Sequence, residues 1–138
     1  MSAADNEPSK IGVAEARVLP RAAGKHGDTI QFGFSEAPSL LWLKHLKEII
    51  DGRLIAAPEF AYAAQNGRQI EFVTTSGELT PDKAAHLKVL VREIFEETNK
   101  KHRGYLVEQA RGEAEEQGRL RDEAARVAQL NAVLNEQR

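Results

Sequence analysis

The chain has 138 residues, with 19 Lys and Arg against 21 Asp and Glu, a formal charge of −2 at neutral pH, and no cysteine. That is one domain's worth of protein without the cationic excess of a bare nucleic-acid binder, and it excludes a disulfide framework, a thiolate-ligated metal and a thiol nucleophile. No apolar run approaches the roughly 20 residues that cross a bilayer, and residues 1–10 lack the apolar core of a signal peptide, so a cytoplasmic chain without membrane contact is expected.

Residues 1–10 are small and polar, with one Pro and no apolar rhythm, and are expected to be disordered. Ile11 to Pro20 is rich in Val, Ile and Ala and reads as a strand; Arg21 to Asp28, with two glycines, reads as a loop. Ile30, Phe32 and Phe34 then alternate with Gln31, Gly33 and Ser35, the period of two that puts both aromatics on one buried face. The Gln31-Phe32-Gly33-Phe34 run echoes the Gly-Phe-Gly-Phe core of the RNA-recognition motif, but Ile30 and Gln31 stand where that motif needs a basic residue and a glycine, so the aromatics are assigned to the core.

Pro38 suits a first helical turn, and Leu40, Leu43, Leu46, Ile49 and Ile50 recur at helical spacing until Asp51-Gly52, giving an amphipathic helix of about three turns. Lys44 with Glu48 and Lys47 with Asp51 mark its wet side, and Trp42 flanks the apolar stripe. Asn66-Gly67 between Phe60–Gln65 and Arg68–Thr75 predicts a hairpin with a type I′ turn, which sets Tyr62 opposite Glu71 and Phe60 opposite Val73. In that register Ala61, Ala63, Ile70 and Phe72 share one face. Phe60, Tyr62 and Val73 share the other, which is too apolar for water and is expected to meet a partner.

Thr80-Pro81-Asp82 predicts a helix start, and Leu87, Leu90, Val91, Ile94 and Phe95 supply its buried stripe. The expected fold is α+β in ββαββα order: a small antiparallel sheet of about four strands with two amphipathic helices on one face, occupying residues 11–103. A long helical extension over 104–138 follows, since no Pro occurs after Pro81 and good helix formers dominate. A break around residues 98–104, where apolar periodicity lapses, is one expectation; a single helix that projects is the other. Further on, Leu120, Ala124, Val127, Asn131 and Leu134 alternate spacings of four and three, the rhythm of a short coiled coil, with Leu130 beside it. Burying Leu120, Val127, Leu130 and Leu134 would yield on the order of 6–12 kcal/mol gross, at about 1.5–3 kcal/mol each.

Catalytic and cofactor signals are absent. The four histidines lack zinc-ligand spacing, and no nucleophile elbow, phosphate loop or dinucleotide fingerprint occurs, so no metal, cofactor or catalytic residue is assigned. The expected function is a non-enzymatic interaction or assembly protein. It would use Phe60, Tyr62 and Val73 on the sheet and Leu120, Val127, Leu130 and Leu134 on the tail to contact itself or a protein partner. A nucleic-acid-associated protein using Lys100, Lys101 and Arg103 is the first alternative, and a small enzyme without a recognisable motif is the second.

Overall fold

A computed structural model describes residues 10–21 and 27–136. The expected disorder of residues 1–10, apart from Lys10, and the middle of the loop at 21–28, including His26, lie outside the described residues. The elements are β1 (Val13–Leu19), β2 (Thr29–Phe34), α1 (Leu40–Leu54), β3 (Phe60–Asn66), β4 (Gln69–Thr74) and α2 (Pro81–Leu134). The strands form one antiparallel sheet in the order β1-β2-β4-β3. The α+β class and four-stranded antiparallel sheet are therefore as expected. Two compact units divide the chain, one ending at Arg103 and one beginning at Gly104.

The first unit is a two-layer structure. Ile30, Phe32 and Phe34 of β2 and Ile70 and Phe72 of β4 point to one side, where they meet Leu46 and Ile50 of α1 and Leu87, Leu90, Val91, Ile94 and Phe95 of α2. An aromatic triangle ties the layers together: Phe34, Trp42 and Phe95 have ring centroids 5.5–5.6 Å apart in pairs. Trp42, expected at the edge of the stripe, is fully buried. Ser39 caps α1 by accepting from the Trp42 amide at 3.1 Å, and the helix runs through Gly52 to Leu54.

The hairpin forms with a different register. Gly67 has φ 55° and Asn66 stays in the strand, opposite Gln69, so Gly67 and Arg68 make the loop. Only the first loop residue has positive φ, the pattern of a type II′ turn and not the expected type I′. An irregularity between Tyr62 and Ala64 then shifts the pairing so that Tyr62 faces Phe72 and Phe60 faces Thr74. Because side chains alternate with period two, this shift moves Phe60 and Tyr62 to the core side. Phe60 is only 2% exposed, and the Tyr62 and Phe72 rings lie 6.2 Å apart, nearly perpendicular. Val73 remains on the opposite face beside Gln31, Glu71 and Ala61, so the expected outward patch of Phe60, Tyr62 and Val73 does not exist.

The loop entering β2 is held by a compact polar knot. Asp28 accepts from both Arg21 and the Leu79 amide, the amide being the larger cause of a carboxyl held below its usual range. Gly27 lies so close to the Thr74 carbonyl that a Cβ there would sit 2.3 Å from its oxygen, which only glycine tolerates.

The second helix of the sheet layer and the tail are one helix. Thr80 caps α2 by accepting from the Lys83 amide at 3.2 Å, and no break occurs around residues 98–104. The inward-facing rhythm that carries Leu87, Val91, Ile94 and Phe95 continues through Thr98, Asn99 and His102, all buried. Polarity hid that rhythm. Thr98 Oγ1 donates to the Ile94 carbonyl at 2.7 Å, and Asn99 is fully engaged with groups outside the helix, so the burial carries no unsatisfied cost at either side chain.

Candidate functional site

Each unit leaves apolar surface open, and two such surfaces are aligned with the sheet and with the C-terminal helix. The first belongs to the sheet. Strand β1 is exposed along its length except for half-buried Leu19, although cross-strand pairing puts Val13, Ala16 and Val18 on the core face, beside Phe34, Phe32 and Ile30. Neither helix covers that end of the sheet, so Val18 is 52% exposed. The result is a groove between β1 and α2. One part, of about 580 Å³, runs past Val13, Ala16, Lys88, Arg92 and Glu96. A second, of about 280 Å³, shares Ala16, Phe32 and Lys88 and continues past Val18 to Leu79.

Asn99 fixes one end of this groove. Its Oδ1 accepts from the Ile11 amide and the Trp42 indole N–H, each at 3.0 Å, while its Nδ2 donates to the Ile11 carbonyl at 2.8 Å. One side chain thus joins the chain entering β1 to both helices. Lys88 and Arg92, one helical turn apart on α2, are exposed on the groove's wall and make no ion pair with a described residue.

The second surface is the helix from Gly104 onward. None of its described side chains is buried. Leu120, Val127 and Leu134 fall seven residues apart on one line and are 46%, 41% and 79% exposed, with Ala124 and Asn131 completing the seam. Leu130 lies about 80° around the helix from Leu120, so it borders the ridge and is not part of it. Glu116 and Glu123 flank the same line, paired at i,i+3 with Arg119 (2.7 Å) and Arg126 (2.8 Å). Such solvent-exposed pairs contribute little and are readily exchanged for others. The tail residues singled out from sequence are all on this surface; Phe60 is buried, and half-buried Tyr62 lines a separate cleft of about 400 Å³ with Leu40, Leu43 and Ile50.

The basic stretch is partly engaged within the first unit. Lys101 is engaged by Glu48 of α1, and its ammonium holds the Glu48 carboxyl below its usual range. His102 between Lys101 and Arg103 is buried, leaving Lys100 and Arg103 on the surface. Sequence reading could have found this from spacing alone, because Thr98, Asn99 and His102 continue the i,i+3/i,i+4 series of the core stripe.

His102 packs against His45 of α1, ring centroids 5.4 Å apart. Burial, then the neighbouring His102 and Lys101, hold His45 below its usual value of 6.5, with Glu48 acting in the opposite direction and Lys44 adding to the lowering. Folded His45 therefore binds a proton less readily than unfolded His45. Its contribution to stability is fully present above about pH 6.5 and is lost as pH falls through that value toward the folded pKa. The urea midpoint should accordingly drop between pH 7.5 and pH 5.5, with a slope of at most about 1.4 kcal/mol per pH unit for one proton. His45→Gln should flatten that profile; an equally steep profile in the variant would assign the dependence elsewhere.

Among the described residues, no group of three His, Cys, Asp or Glu is placed to hold a metal ion, and no helix is long and apolar enough to cross a membrane. Comparison with protein-family models, with curated proteins and with solved structures finds no match.

Proposed function

We propose that this chain is a non-enzymatic assembly protein whose C-terminal helix associates with a second copy through Leu120, Val127 and Leu134. The observation that supports this reading is the ridge itself: an aliphatic line repeated every seven residues on the stretch of α2 from Gly104 onward, where no described side chain is buried. Helices without tertiary contacts are marginal in water, so burying that line against a partner both shelters apolar area and stabilises the helix. The polar groups buried in the first unit support a structural role for it. Thr74, Thr98 and Asn99 all direct their hydrogen bonds to backbone or to Trp42.

The test is light scattering across a wide concentration range. The wild type is expected to exceed the mass of one chain, 15.3 kDa, and Leu120→Ser/Val127→Ser/Leu134→Ser to return it to one chain. A wild type that stays at one chain throughout would end the self-association reading.

A further inference from the structure

The groove between β1 and α2 and the ridge on the C-terminal helix are complementary. We propose that the ridge of one copy seats in the β1/α2 groove of another, so that assembly is a helix-in-groove contact and not a pairing of two ridges. This inference rests on the assembly reading above and names the surface that the ridge meets.

Three observations carry it. The groove's floor is the uncovered part of a core face: Val13, Ala16 and Val18 line up along β1 with Phe32 behind them, beside α2, where a third helix of the layer would lie. Its wall supplies Lys88 and Arg92, which have no acidic partner among the described residues. The ridge arrives with the opposite charge at its border, Glu116 and Glu123, whose present partners are exposed arginines on their own helix and are easily given up. Glu96 and Glu15 also line the longer part of the groove, so the acidic border of the incoming helix belongs against the Lys88–Arg92 stretch.

The shape of β1 favours a helix over an added strand. Its pairing with β2 is irregular between Val13 and Ala16, the kind of bulge that spoils the outer edge of a sheet as a template for another strand. An amphipathic helix needs no such edge, only an apolar trough with anchors at i, i+3, i+4 and i+7. Groove and ridge are different surfaces, so two copies close into a two-fold dimer when each lends its ridge to the other.

The sequence contains no cysteine, which makes disulfide trapping clean. Full-length Val18→Cys and full-length Val127→Cys would be mixed in equal amounts, oxidised briefly with diamide, and the linked peptides identified by mass spectrometry. The expected product joins position 18 of one chain to position 127 of the other, at least fivefold over either symmetric link. Charge reversal gives an independent readout: Lys88→Glu/Arg92→Glu should weaken self-association at least tenfold, and mixing that variant with Glu116→Lys/Glu123→Lys should restore it. Predominantly symmetric 127–127 links in that mixture, or an oligomer indifferent to Lys88 and Arg92, would overturn the groove while leaving ridge-driven assembly standing. A wild type that scatters as a single chain would overturn both.

Discussion

Replacing Asn99 by Leu is expected to destabilise the first unit by about 3–5 kcal/mol, measured by urea unfolding at pH 7.5. Leu fills nearly the same space but leaves the Ile11 amide, the Ile11 carbonyl and the Trp42 indole N–H without their partner. Each buried polar group left unsatisfied costs about 1–3 kcal/mol. The total is less than three times the upper figure, because the segment before β1 borders exposed Lys10 and can admit water once released. Amide exchange should localise the damage, with β1 losing protection before β2 and β4. Removing the indole donor first, by Trp42→Phe, should make the Asn99 substitution cheaper by about 1–2 kcal/mol, since one of the stranded donors is then already gone. A loss below about 1 kcal/mol for Asn99→Leu would show that the three hydrogen bonds are replaced by water at no cost, and that Asn99 does not hold β1 against the helices.

Asn99 also shows where the sequence was hard to read. The apolar stripe of α2 was legible through Phe95 because Leu, Val, Ile and Phe announce burial by type. Beyond it, Thr98, Asn99 and His102 occupy the same face with side chains that usually mark a surface. Each is buried because a particular partner lies opposite, and partners distant in sequence, such as Ile11 and Trp42, are not visible in a local pattern. The expected break around residues 98–104 came from treating lost hydrophobicity as lost periodicity. Position in the 3.6-residue repeat was intact throughout.

The ridge was legible for the opposite reason. Leu120, Val127 and Leu134 lie on one unbroken helix and are exposed, so their spacing passes unaltered into the structure. The groove was invisible to sequence because it is an absence. Val13, Ala16 and Val18 carry the residue types of a covered strand, and only the placement of α1 and α2 shows that no helix lies over them. An uncovered apolar sheet surface was anticipated, at Phe60, Tyr62 and Val73. The sheet has one, at its other end.

The hairpin register, on which that misplacement turned, yields the second large effect. Phe72→Ala should cost about 3–5 kcal/mol, the usual range for truncating a fully buried Phe, because β4 is an inner strand and the ring packs edge-on against both Phe32 (5.9 Å) and Tyr62 (6.2 Å). Val73→Ala, one residue away on the opposite face, should cost less than about 1 kcal/mol. The decisive measurement is a double-mutant cycle between Tyr62→Leu and Phe72→Leu. With Tyr62 directly opposite Phe72, the aromatic pair should show a coupling of about 0.5–1.5 kcal/mol. In the register read from Asn66-Gly67 alone, Tyr62 would stand opposite Glu71, on the far side of the sheet from Phe72, and the coupling would vanish. Deleting Ala63 should cost far less than Phe72→Ala, because it removes the extra residue and sets Ala64, opposite Glu71, next to Tyr62, opposite Phe72. The ladder then becomes regular, with Tyr62 and Phe60 still on the core side. A loss as large as that of Phe72→Ala would show that the bulge itself holds the hairpin together.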